Sequence, residues 1–227
     1  MALIEVSGVS NTYQGGDGIV TALKDVNLAI EEGEFLALMG PSGSGKSTLL
    51  SILGVLNPPS TGTVLIDDID VYSLSSERQA DFRHEYVGFV FQQYQLIPYL
   101  TAIENVMLPL AITSLSNKEQ REMAQSVLDK VGLGQKLFRL PNQLSGGEQN
   151  RVAIARAIVN RPAIVFADEP TGSLDSSTAR ELLDLFKYLN SEGLTIIMVT
   201  HNKENLDWVS RSVYIRDGVL GPIPNDL

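Results

Sequence analysis

An α/β fold is the class this sequence predicts, and three observations predict it. Short apolar runs recur along the chain, at Phe35–Met39, Val87–Phe91, Ala163–Ala167 and Leu194–Thr200. Uninterrupted apolarity over so few residues suits strands buried on both faces. Helix-like segments lie between these runs; Leu182, Leu183, Leu185, Phe186 and Leu189 mark one buried helical stripe. Each run also ends abruptly at a polar residue or glycine, namely Gly40, Gln92, Asp168 and His201.

Size and composition bound the rest. The chain has 227 residues, 44% of them hydrophobic, which suits a single domain with an ample core. It has no cysteine, so neither disulfides nor thiolate metal sites arise. Acidic residues number 27 against 17 basic, a net charge of −10, which argues against a nucleic-acid partner. No apolar stretch approaches the ~20 residues that cross a bilayer. The opening M-A-L-I-E-V-S lacks the basic region and apolar core of a signal peptide. These features predict a soluble cytoplasmic protein.

In chain order, Leu3, Ile4, Val6 and Val9 begin a strand, and Gly15–Gly18 reads as a loop. Tyr13 before it is either a base-stacking ring or a half-buried strand tyrosine. Val20, Leu23, Val26, Leu28 and Ile30 suggest a second strand. After Phe35–Met39 comes G-P-S-G-S-G-K-S-T, that is Gly40, Pro41, Ser42, Gly43, Ser44, Gly45, Lys46, Ser47 and Thr48. It matches the phosphate-loop pattern G-x-x-x-x-G-K-[ST]. Gly43 and Gly45 allow successive backbone N–H groups to turn inward around an anion. Lys46 brings a positive charge to the β- and γ-phosphates, and the Ser47 hydroxyl suits Mg²⁺. A helix over Thr48–Leu53 would present its positive end to the same anion.

Asn57–Gly62 breaks the chain, Thr63–Ile66 reads as a strand, and Ser75–Arg83 as a polar helix. Gln92 and Gln93 each offer an amide oxygen to a metal or a water. Thr101–Ile112 reads as one helix that Pro109 would bend or end. A helix over Asn117–Val131 begins with a capping pair of Asn117 and Gln120 and ends at Gly132. Ser145, Gly146 and Gly147, followed by Glu148, place a hydroxyl and two flexible amides at the start of a helix over 148–160. That is a second anion-binding helix end or an ordinary serine cap. At the end of Ala163–Ala167, Asp168 can hold Mg²⁺ through water, and Glu169 can orient or deprotonate a nucleophilic water. His201 is a γ-phosphate partner or a surface residue. Val213–Ile215 forms a last strand, Asp217-Gly218 a tight turn, and the tail G-P-I-P-N-D-L runs extended.

Over nearly its whole length the chain resembles the nucleotide-binding subunits of ABC transporters. The matching motifs are Gly40–Thr48 (Walker A), Gln92 after G-F-V-F (Q-loop), L-S-G-G-E-Q at 144–149 (signature), Ile164–Glu169 (Walker B with catalytic glutamate), Ser173–Asp175 (D-loop) and His201 (switch). The resemblance implies a RecA-like P-loop NTPase core with an antiparallel β subdomain, about 1–94 and 161–227, and an inserted α-helical subdomain, about 95–160. It implies that ATP and Mg²⁺ are bound, that Tyr13 stacks on adenine, and that Lys46, Gln92, Glu169 and His201 are catalytic. Ser47, Gln92 and Asp168 would hold the metal. It further implies a homodimer around two ATP, with Ser145, Gly146, Gly147 and Glu148 of one copy completing the site of the other. Integral membrane permease subunits would be the partner, placing the chain on the cytoplasmic face of the membrane.

The loop at 14–21, T-A-I-E-N-V-M-L-P-L at 101–110 and A-D-E-P-T-G-S-L-D resemble the lipoprotein-release (LolD-like) and macrolide-export (MacB-like) ATPases, with the FtsE group close by. Two stretches depart from that pattern: T-H-N-K-E-N at 200–205, and Asn150 within L-S-G-G-E-Q-N-R. Residues 94–100 would lie near a docked permease or pack in the core. The competing expectation is a soluble ATPase of this family acting on nucleic acid or the ribosome, which the acidic balance and the single cassette disfavour.

Overall fold

A computed structural model of the chain describes residues 2–15 and 18–224. Two long strands, β1 (Ala2–Gly15) and β2 (Gly18–Glu31), form an antiparallel hairpin. Val26, Leu28 and Ile30 are buried while Asn27 and Ala29 face out, the period-two pattern of a sheet covered on one side. Gly15 pairs with Gly18, so these two residues of the expected loop belong to strands. The other two residues of that expected loop, Gly16 and Asp17, lie outside the described residues.

β3 (Phe35–Met39) runs into the phosphate loop, and α1 (Lys46–Leu53) begins two residues earlier than the periodicity suggests. β4 (Thr61–Ile66) and β5 (Ile69–Asp70) complete the first sheet, in the order β2-β1-β4-β5. α2 (Ser76–Tyr86) and β6 (Val87–Val90) follow. Over 101–112 the helix is ended rather than bent: α3 (Ala102–Met107) stops and a 3₁₀ turn, Leu108–Ile112, follows. Pro109 has no N–H to continue the α-helical ladder, so the α-helix stops there although Leu108 keeps helical angles.

α4 (Asn117–Lys130) also corrects an expectation. Its cap is Ser116, not Asn117: the Ser116 hydroxyl accepts the Glu119 N–H, and the Glu119 carboxylate accepts the Ser116 N–H at 2.8 Å. Gln120 is buried and donates to Leu115 O. α5 (Gly146–Ile158) starts two residues before the expected Glu148. β7 (Ile164–Asp168), α6 (Ser176–Ser191), β8 (Thr195–Val199), β9 (Arg211–Arg216) and β10 (Val219–Gly221) end the fold. Of the expected extended tail, Gly221 belongs to β10, and residues 225–227 lie outside those described.

The second sheet has the order β10-β9-β3-β8-β7-β6, and its strands β9, β3, β8, β7 and β6 are parallel neighbours. Its apolar strands serve two cores at once. Along β7, Val165 and Ala167 pack against α3–α6, whereas Ile164 and Phe166 pack against α1 and the antiparallel sheet. Along β8, Ile196 and Met198 divide from Ile197 and Val199 in the same way. Each of the buried Leu182, Leu183, Phe186 and Leu189 on α6 contributes ~1.5–3 kcal/mol relative to exposure. The functional consequence is alignment. β3, β6, β7 and β8 all point their C-terminal ends toward one edge, where an open α/β sheet collects its ligands.

Candidate functional site

At that edge lies a cavity of about 630 Å³. It is lined by Ser42, Gly43, Gly45, Lys46, Ser47 and Thr48 of the phosphate loop, by Gln92, by Asp168 and Glu169, and by His201. Gln92 lines it and Gln93 does not. Another cavity, of about 600 Å³, opens at the opposite edge between α4, α5 and α6, but contains no glycine loop.

The loop's shape follows from its sequence. Gly45 has φ of 109°, and a β-carbon there would lie 2.5 Å from Ala22 O. Gly43, at φ 76°, has open space around it, so it is required for its backbone angle alone. The Asp217-Gly218 turn braces the loop from outside, with Gly218 N–H donating to Ser44 O at 3.0 Å. Among the described α-helices, α1 alone has no side-chain cap; α2 to α6 are capped by Ser75, Thr101, Ser116, Ser145 and Asp175. The open first-turn N–H groups of α1 face the cavity, where an anion can accept them.

Lys46 is 8% exposed, and its Nζ donates to Gly40 O and Pro41 O, each at 2.8 Å. Burial pushes its pKa down, while Glu169 and Asp168 pull it up. Asp168 is pushed up, first by burial and then by the neighbouring Glu169 charge, against the pull of Lys46. Glu169 sits at φ 48°, and its N–H donates to Val199 O on the adjacent strand. His201 Nδ1 lies 2.8 Å from the Glu169 carboxylate oxygens. Ser47, Gln92 and Asp168 present only oxygen donors, the set a hard divalent cation such as Mg²⁺ prefers.

Several candidate residues stand apart. Tyr13, Gly40, Pro41 and Ser44 do not line the cavity; Tyr13 is 46% exposed on β1, and the Ser44 hydroxyl is buried with no partner. Ser145, Gly146, Gly147 and Glu148 are not in the cavity wall either. Ser145 caps α5, its N–H donating to Glu148 at 2.9 Å, and Glu148 is further engaged by Lys136. Ser145 and Gly146 are exposed, while Gly147 is buried against Thr178. Other residues at the site carried no motif signal. Ala22 and Val199 line the cavity. Each departing stretch carries one buried amide: Asn150 Nδ2 donates to Pro170 O at 2.5 Å, and Asn205 reaches Thr171 and Thr200, whereas Asn202 and Lys203, directly after the histidine, are exposed.

A glycine loop under an uncapped helix, beside paired acids at a strand end, defines the class as a phosphate-loop nucleotide hydrolase. The family follows from comparison. The ABC transporter family model matches residues 23–172, and the chain belongs to that family of ATP-binding, ATP-hydrolysing subunits. It is 46% identical to the uncharacterized ABC transporter ATP-binding protein YknY of Bacillus subtilis over 97% of this chain and 96% of that one. It is 47% identical over 98% of its length to the macrolide export ATP-binding/permease protein MacB of Syntrophobacter fumaroxidans, of which it spans only 32%. Its fold matches the dimeric ATP-binding cassette MJ0796 in a post-hydrolysis state bound to ADP and Pi, with a TM-score of 0.87, 44% identity, and coverage of 98% of this chain and 99% of that one. Among the described residues, no helix is long and apolar enough to cross a membrane.

Proposed function

We propose that the chain hydrolyses ATP as a head-to-tail homodimer that drives a membrane permease in export or extraction of a lipoprotein, lipid or drug. The observation that carries the reading is the division of the two phosphate-binding helix ends. α1 opens into the cavity uncapped, while the Ser145 end of α5 is exposed outside it. One chain thus offers half of a site and the complement of another. Each ATP lies between Lys46 of one copy and Ser145 and Gly147 of its partner, with Tyr13 against the adenine.

In the filled site Lys46 exchanges the Gly40 and Pro41 carbonyls for β- and γ-phosphate oxygens. Ser47, Gln92 and Asp168 would hold Mg²⁺, which would supply charge neutralisation to the phosphates when bound. Glu169 takes the proton of the attacking water as its oxygen bonds to the γ-phosphorus and the bridging bond to ADP breaks. His201 holds the γ-phosphate and, through its contact with Glu169, aligns the base. The helices between β6 and β7, about 95–160, form the lobe that meets the permease. Support comes from a groove of about 300 Å³ lined by Phe91, Gln95, Pro109 and Arg156, with Tyr99 78% exposed on the same stretch of chain. The working location is the cytoplasmic membrane face. The names of relatives such as MacB favour export.

Glu169→Gln tests the proposal. ATP binding should persist, turnover should fall by more than about 100-fold, and dimer should accumulate in light scattering with ATP. Wild-type hydrolysis by this variant would refute the assignment.

A further inference from the structure

Two threonines flank the Glu169–His201 pair on its buried side. Thr171 lies two residues after Glu169, Thr200 one residue before His201, and they are only 9% and 1% exposed. The Asn205 side chain, 2% exposed, sits between them. Its Nδ2 donates to Thr171 Oγ1 at 3.0 Å and to Thr200 Oγ1 at 2.9 Å. Both N–H groups of one amide are therefore committed to two different loops. Thr200 Oγ1 also accepts the Asn202 N–H at 3.1 Å, which turns the chain after His201 back toward Asn205.

We propose that Asn205 is a positioning residue for hydrolysis, its buried amide setting the distance between the loop that carries Glu169 and the loop that carries His201. The inference rests on the assignment of those two residues as the hydrolytic pair. The strand ends behind the two loops are already fixed, Glu169 N–H on Val199 O joining β7 to β8 and Thr200 N–H on Leu38 O joining β8 to β3, so the fold does not need the amide bridge, which acts on the loops beyond those ends. Packing does not supply the same constraint. A cavity of about 90 Å³, lined in part by Thr171, Asn202, Asn205 and Trp208, opens beside the amide and leaves the loops room to shift. A buried amide is costly where an apolar side chain would fill the space, and here its two donors are satisfied only by joining the loops. Both hydrogen bonds lie behind the reacting groups, outside the nucleotide cavity. Their effect therefore reaches the water and γ-phosphate through geometry, to which rates are steeply sensitive.

The experiment is steady-state ATPase assay of the purified chain. Asn205→Leu should lower kcat about tenfold and leave KM for ATP within about twofold, because Asn205 touches none of the nucleotide-binding groups. Thr171→Val should do the same, the double variant should be no slower than either single one, and Thr171→Ser should restore turnover. Unchanged kcat in Asn205→Leu, or effects that multiply in the double variant, would overturn the proposal. If Asn205→Leu does not fold, equal kcat in Thr171→Val and Thr171→Ser overturns it instead. Glu169→Gln assayed alongside separates the two ideas. Should that variant turn over normally, the site reading fails; should it be dead while Asn205→Leu is unimpaired, only the positioning role fails.

Discussion

Asp168 and Lys46 show how single residues carry electrostatic cost in the site. Burial and then Glu169 hold the Asp168 carboxyl above its ordinary range, and burial holds Lys46 below its own. Two acids face one buried lysine, so the charges within the site are unbalanced among themselves. A raised carboxyl pKa means that the unfolded chain ionises more readily than the native one. The penalty is present at neutral pH and vanishes once both states are protonated, below about pH 3.9. Asp168→Asn should therefore raise the melting temperature measured without nucleotide at pH 7. The same change should weaken Mg²⁺-dependent ATP binding, a trade of function against stability. Calorimetry with and without Mg-ATP measures both, and an unchanged melt at pH 7 would contradict the charge argument.

At the scale of elements, three helices share one starting device. α3, α4 and α5 open with Thr101/Glu104, Ser116/Glu119 and Ser145/Glu148 capping boxes. The Glu104 and Glu119 carboxylates are held below their ordinary range first by the cap hydroxyl and then by the cap N–H. Glu148 is held down first by Lys136 and then by the Ser145 N–H. Depressed carboxyl values stabilise the native state above the unfolded value, about pH 4.3, and that contribution is lost as pH falls through the folded values. The capping boxes' contribution to the melting temperature should hold between pH 7 and 5 and be lost below about pH 4.3, and Glu119→Gln should flatten part of that acid limb. An identical acid limb in that variant would assign the effect elsewhere. The same element explains a misreading. S-x-x-E at 116–119 and N-x-x-Q at 117–120 overlap by one register, and the carboxylate wins because it complements the positive helix end as an amide does not. Pro109 was legible as a break, but the 3₁₀ turn it produces was not, because that depends on Leu110 reaching the core.

For the whole molecule, the question is whether the exposed start of α5 acts as a second phosphate-binding helix end. If α5 serves the partner's nucleotide, a bulky residue at its exposed start should block closure without touching the chain's own cavity. Ser145→Arg in the Glu169→Gln background should bind ATP with affinity within about threefold of its parent, since the phosphate loop is intact, and remain monomeric in light scattering. Persistent dimer would mean that the two copies meet through another surface.

Much of this was readable beforehand because its causes are local. The phosphate loop announces itself through glycines whose backbone angles other residues rarely adopt, and Phe35–Met39 or Thr195–Val199 through runs too apolar to lie anywhere but inside. What no local pattern contains is which strands lie side by side. β8 sits between β3 and β7 although it follows both by crossovers, and that order alone puts His201 against Glu169 and Asn205 between Thr171 and Thr200. Backbone angles and apolar periods are properties of a few neighbouring residues. Adjacency across a parallel sheet comes from hydrogen bonds between segments far apart in the chain, and only the packed layers choose among the pairings open to them.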